Sequence, residues 1–196
     1  MHAKNELLSY IVRYDHGFAP NPFGGVCTLA CCKPVIRQNA NIGDWVMGTT
    51  PAPDAGKLVY AMEVNKTLLF GQYFNAPEFQ HKKPSAENPY GDNIHKEITP
   101  GEYGSIENYF HDTSDCEKDH NSSRVLISYN FYYFGKRAVP IPKEYASLVY
   151  TTQGHLKKDG NSKVVGDFLE WLKQFPTGVY GMPRDALKPI KNTLVA

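Results

Sequence analysis

The sequence predicts an α+β fold: a mixed, mostly antiparallel sheet or partly open barrel, with long loops and a C-terminal amphipathic helix. Three observations carry that expectation. Short runs rich in Val, Ile, Tyr and Phe are bounded by Gly, Pro, Asn and Asp, the pattern of strands joined by turns. A single late segment, SKVVGDFLEWLKQF, repeats its apolar residues clearly at helical spacing. Neither common type of glycine-rich phosphate loop occurs between a strand and a helix, so a doubly wound parallel sheet is not expected.

The elements follow in order. LLSYIVRYD, from Leu7 to Asp15, reads as a buried strand, and because side chains two apart share a strand face, Arg13 and Asp15 are expected together. HGFAPNPFGGVCTLACCKP, from His16 to Pro34, then sets the turn-formers Gly17, Pro20, Pro22, Gly24 and Gly25 beside His16, Asn21, Lys33 and three cysteines. A structural connection needs the turn-formers but not the polar set. Within it VCTLACC is short, apolar and ambiguous between strand and helix.

NIGDWVMG is a turn feeding a short strand at Trp45, and KLVYAMEVNKTLLF, from Lys57 to Phe70, is a second strand paired with it as an antiparallel hairpin. QYFNAPEF suggests one helical turn ended by Pro77. From about His81 to Asn121 the periodicity disappears, and loops of that length are usually functional or disordered. The anchoring aromatics Tyr90, Tyr103, Tyr109 and Phe110 favour a functional loop. RVLISYNFYYFG, from Arg124 to Gly135, is the strongest strand, and AVPIP is an edge segment because proline cannot donate to a ladder. In the helix Val164, Phe168, Trp171, Leu172 and Phe175 form the apolar stripe, between an N-cap at Ser162 and a stop at Pro176 to Gly178.

The 196 residues suit one domain, 1–196, whose part from 143 onward is helical. With 21 Lys plus Arg against 20 Asp plus Glu, no broad field attracts a nucleic-acid backbone, which argues against a duplex-coating protein. No run approaches the about 18 apolar residues of a membrane span, and MHAKNELLSY lacks a signal-peptide core, so no membrane partner and a cytoplasmic location are expected.

The four cysteines, Cys27, Cys31, Cys32 and Cys116, are then expected as reduced thiols. Cys27 and Cys31 are four apart, and Cys116 lies between His111 and His120, but the spacing is not that of ordinary zinc sites and no metal site is expected. Cys32 as a nucleophile, beside Lys33 and with His16, His95 or His111 as base, is weighed against buried inert thiols, and the inert reading is preferred.

A group of polar and aromatic residues offers more. Arg13 and Lys33 suit an anionic group, while Asn21 and Asn93 can read the edge of a base or a sugar. Phe23, Trp45 and Tyr90 can stack on a planar ring, His16 and His95 extend the ligand-binding set, and Asp15 and Asp92 are the candidate catalytic bases. One wall of the expected pocket is the His16–Lys33 loop and the other is YGDNIH, from Tyr90 to His95.

The blocks YIVRYDHGFAPNPFGGVCTLACCKPVIR, NIGDWVMG, LVYAMEV, YGDNI and YYFG resemble the second type of the nucleotide modification associated domains, over roughly Leu8 to Pro142. The resemblance implies a bacterial or phage protein linked to DNA base hypermodification or nucleotide metabolism, without implying a reaction or a cofactor. IGDWV also resembles the Gly-Asp turn and strand of small β-barrels of the pseudouridine-synthase-and-archaeosine type, which implies a pocket for a flipped or free base lined by Trp45 or Tyr90. The expected partner is a nucleotide or modified base, free or as a single nucleotide within DNA, met by an enzyme or by a non-catalytic reader. Neither oligomeric state nor cofactor is legible.

Overall fold

The computed structural model describes residues 5–152 and 154–185. In chain order the elements are β1 (Glu6–Ile11), β2 (Cys27–Leu29), α1 (Pro34–Asn39), β3 (Trp45–Thr49), β4 (Lys57–Glu63), β5 (Lys66–Leu69), α2 (Phe70–Asn75), β6 (His95–Thr99) and β7 (Glu102–Ser105). They continue with α3 (Thr113–Asp119), β8 (Arg124–Ser128), β9 (Phe131–Tyr133), β10 (Val139–Pro140), β11 (Leu156–Asp159), α4 (Lys163–Leu172) and β12 (Gly178–Val179).

Among the described residues three sheets form, and none closes into a barrel. A seven-stranded sheet runs β11-β1-β3-β4-β9-β12 with β10 also on β4, a three-stranded sheet runs β2-β8-β5, and β6 and β7 make a hairpin. Pairing is antiparallel except for β1 with β3 and β12 with β9, so the fold is mixed α+β.

Alternation along the strands explains the layering. On β1 and β3, Leu7 and Met47 face a core shared with Val165, Phe168 and Leu172 of α4. Their neighbours Leu8 and Val46 face the opposite core, which they share with Cys27, Leu29 and Leu126 of the second sheet. The far side of that sheet, through Val125 and Ile127, packs on Phe70 and Tyr73 of α2 and on Cys31 and Cys116. Central strands covered on both faces read as continuous apolar runs, as KLVYAME does.

Several expectations change at this level. The Lys57–Phe70 run is two strands, because β4 joins the large sheet and β5 the small one. The Arg124–Gly135 run likewise divides at Tyr129 and Asn130, whose amides both donate to Asn65 Oδ1 rather than to a ladder, at 2.7 and 3.2 Å. A chain crossing between sheets keeps both halves buried, so apolar content does not show the break. β1 ends at Ile11, which leaves Arg13 exposed and Asp15 buried rather than side by side. The stretch from His81 to Asn121 holds the β6–β7 hairpin and α3, both too short and polar to leave a period. The hairpin of β3 with β4, the edge position of β10 and the packing of α4 on the sheet follow the sequence.

Candidate active site

The turn from β2 into α1 carries Ala30, Cys31, Cys32 and Lys33. Cys32 and Lys33 have φ of 58° and 46°, left-handed values that cost a side-chain-bearing residue about 1–2 kcal/mol each. Among the described residues they are the non-glycine ones with positive φ, and the surroundings must over-determine them. Pro34 opens the helix, where its missing N–H costs nothing. A sharp strand-to-helix turn of this kind presents a side chain outward, and Cys32 is half-buried while Cys31 is buried.

Three segments meet at this turn. Cys32 Sγ lies 3.3 Å from His111 Nε2. On the other side of the ring, His111 Nδ1 lies 3.0 Å from Asp119 Oδ2 as an ion pair, though off the line of an aligned hydrogen bond. Asp119 closes the circuit, since its Oδ1 accepts from the Cys32 amide at 2.5 Å. The three residues are a thiol, an imidazole and a carboxylate in sequence, as nucleophilic catalysis requires.

The charges are settled by neighbours. Burial opposes an ionised Asp119, but His111, His95 and Arg37 outweigh it and hold the carboxyl well below the usual range. Burial also opposes a charged His111, yet Asp119 and Cys32 push it up to about 10. His95, by contrast, is lowered by burial. Its Nε2 stands 3.3 Å from Asp119 Oδ2 and 3.7 Å from Cys31 Sγ, and its Nδ1 stands 2.8 Å from Ser105 Oγ and 3.2 Å from His120 Nε2. Arg37 is fully buried and donates to the carbonyls of Cys32, Asp119, Ser122 and Arg124, fixing the turn against the end of α3.

Cys32 and His111 open on a cleft of about 430 Å³. Its walls include Tyr10, Arg13, Tyr14, His16, Phe18, Lys33 and Phe110. His16 stacks between Tyr14 and Phe110, with ring centroids at 6.1 and 5.3 Å. Lys33 Nζ sits 4.6 Å over the Tyr10 ring, and burial lowers its pKa. The donor atoms of Cys31, His111 and Asp119 also lie within 4.8 Å of one another, a grouping able to hold a metal ion.

Of the residues singled out from sequence, Arg13, His16 and Lys33 line this cleft. The expected second wall does not, because Phe110, His111 and Asp115 stand there in place of YGDNIH. Asp92 is buried beneath, accepting from Thr28 Oγ1 at 2.6 Å and Tyr73 OH at 2.9 Å. Asn93 is buried too, and donates to the carbonyls of Tyr73 and Phe79. Asn21 binds Tyr90 O and the buried Lys82 ammonium. Asp15 accepts from Tyr133 OH at 2.5 Å and from the Arg184 amide at 3.0 Å. Phe23 packs on Tyr90, whose ring reaches Phe110 at 6.2 Å, whereas Trp45 lies on Tyr132 in the core beneath α4. His95 belongs to the Asp119 network rather than to the cleft. Sequence reading missed Asp119 and Arg37. The D-x-x-D start of α3, Asp112 to Asp115, is the local signal that places Asp119 on a helix.

Comparison with known families bears on the ligand. The family model for nucleotide modification associated domain 2 matches residues 4–189. The chain belongs to that family. No curated protein and no solved structure matches it. Membership connects the chain with nucleotide modification, and among the described residues no helix is long and apolar enough to cross a membrane. Within the family frame, the cleft beside Cys32 combines stacking rings with cations.

Proposed function

We propose that this cleft is the active site of a thiol-dependent enzyme acting on a nucleotide or modified base, with Cys32 as nucleophile, His111 as proton carrier and Asp119 as the residue that orients it. The observation that carries this reading is the Cys32–His111–Asp119 arrangement at a strained turn opening on the cleft. Membership of a family connected with nucleotide modification supports the choice of substrate class. The Tyr14–His16–Phe110 stack suits a planar base, and Arg13 and Lys33 suit its anionic group.

In the reaction that fits these groups, one proton is shared between the Cys32 sulfur and His111, and the surroundings of His111 favour its residence on the ring. The thiolate attacks an electrophilic exocyclic carbon of the substrate and forms a carbon–sulfur bond as the bond to the leaving group breaks. His111 gives its proton to that leaving group. Water then adds to the same carbon, His111 takes a proton from it, and the carbon–sulfur bond breaks to restore the pair. Asp119 keeps the ring turned toward the sulfur throughout and stabilises its charged form whenever the proton is on it.

Iodoacetamide alkylation followed by mass spectrometry tests the reading. Cys32 should react at least about tenfold faster than in His111→Ala, the change matching about 1.4 kcal/mol. Nucleotides and nucleosides carrying modified bases should protect it, and Lys33→Ala should weaken that protection by about tenfold. A Cys32 that reacts no faster in the parent than in His111→Ala refutes the catalytic assignment, and protection without turnover identifies the cleft as a reader's pocket instead.

A further inference from the structure

We infer that a divalent transition-metal ion of the zinc class binds at Cys31, His111 and Asp119, and that its binding removes the proton carrier on which Cys32 depends. The site is argued from its own geometry, whereas the inhibitory consequence rests on the thiol reading above.

One sulfur, one ring nitrogen and one carboxylate oxygen stand within 4.8 Å of one another. The assigned nitrogen is Nδ1 of His111, the atom facing Asp119 Oδ2 at 3.0 Å. That atom is buried in a side chain only 9% exposed, and no aligned hydrogen bond satisfies it. A buried polar atom left so is uncommon and calls for a reason. An ion at about 2.0–2.3 Å from each donor would satisfy it.

The donor chemistry selects the ion. Magnesium and calcium take oxygen ligands, whereas a mixed sulfur, nitrogen and oxygen set suits zinc and its neighbours. A Cys31 thiolate and the Asp119 carboxylate supply two negative charges against the single positive charge of Arg37, which pairs with Asp119 Oδ1 at 3.5 Å. His95 Nε2, 3.7 Å from Cys31 Sγ and 3.3 Å from Asp119 Oδ2, flanks the set as a further donor. The Cys31 thiol otherwise meets the Asp92 carbonyl, at 3.5 Å.

The two adjacent cysteines therefore have different assignments, one on each side of His111. Cys32 uses Nε2, and the metal uses Nδ1. A ring ligated through Nδ1 keeps its remaining proton on Nε2 and has no lone pair to accept the Cys32 proton. Occupancy of the site and thiol chemistry then exclude one another, which linear cysteine spacing could not reveal because Cys31, His111 and Asp119 are 80 and 8 residues apart.

Equilibrium dialysis of the reduced full chain against zinc alone, with a non-chelating phosphine as reductant and elemental analysis as readout, tests the site. One zinc per chain is expected in the parent and in Cys32→Ser, and less than a tenth of that in Cys31→Ala at the same free zinc. Thermal melting in the absence of zinc checks that Cys31→Ala is folded, and Cys31→Ser serves as second variant if it is not. Alkylation of Cys32 by iodoacetamide should slow at least tenfold on adding zinc to the parent and not respond in the Cys31 variant. Absence of stoichiometric zinc in the parent, or zinc lost in Cys32→Ser but retained without Cys31, overturns the site. Zinc bound as expected with no slowing of alkylation overturns the inhibition. Binding with a Cys32 that is unreactive even without zinc overturns the thiol reading and leaves the metal site standing.

Discussion

Asp119 is the residue on which the site converges, since it pairs with His111, His95 and Arg37 and accepts from the Cys32 amide. Sequence reading found the cysteine and the histidine as one option among several but offered no reason to choose this carboxylate from the twenty acidic residues. Only the fold brings it to the ring. A pH dependence follows from its surroundings. Asp119 is held well below the usual carboxylate range, so its ionised form contributes stability above about pH 4 that is lost as the pH falls further. His111 is raised to about 10, so its contribution is complete below the ordinary histidine value of about 6.5 and fades as the pH climbs toward 10. The pair therefore stabilises most between about pH 4 and 6.5. In denaturant titrations, the excess stability of the parent over Asp119→Asn should peak in that window and shrink on both sides. An excess that stays flat from pH 4 to 10 would show that the pair is not ionised in the folded protein.

Among the elements, α3 is the one whose brevity hid the site. It has seven residues, a polar surface and only Cys116 and Asp119 buried, so no hydrophobic period marks it. Its start is fixed by Asp112, whose carboxylate accepts from the Asp115 amide at 2.9 Å. Strands were more legible, because β-branched and aromatic runs must lie in sheets wherever they pair. Their ends were not, since Asn65 and Asn130 interrupt runs that are apolar on both sides of the break. Loss of the α3 cap should cost about 1 kcal/mol, or about 2–4 °C in melting temperature at this chain length. Because Asp119 is the last residue of the helix, Asp112→Ala should also slow Cys32 alkylation, whereas a cap change that lowers melting with no effect on the thiol would separate α3 from the site.

Across the whole molecule, the site lies where the small sheet, the β2–α1 turn and the helix before β8 come together, and Arg37 is the tie between them. The packing of α4 on the sheet was readable from its apolar stripe, but the meeting of residues 32, 111 and 119 depends on contacts nearly ninety positions apart. Burying a guanidinium is costly, and it is retained here because its planar fork reaches four carbonyls on three segments at once. Lysine keeps the charge but has three donors on one nitrogen, so it cannot span the same groups. Arg37→Lys should leave two or more buried carbonyls without a donor and destabilise the fold by about 3 kcal/mol, at about 1–3 kcal/mol for each group left unpaired. It should also free the Cys32 turn from Asp119, so that alkylation of Cys32 becomes slow and insensitive to His111→Ala in the double variant. Denaturant unfolding measures the first effect and a double-variant cycle of alkylation rates the second. If Arg37→Lys melts early yet keeps the full His111 dependence, the guanidinium supports the fold alone and the thiol, ring and carboxylate are aligned by something else.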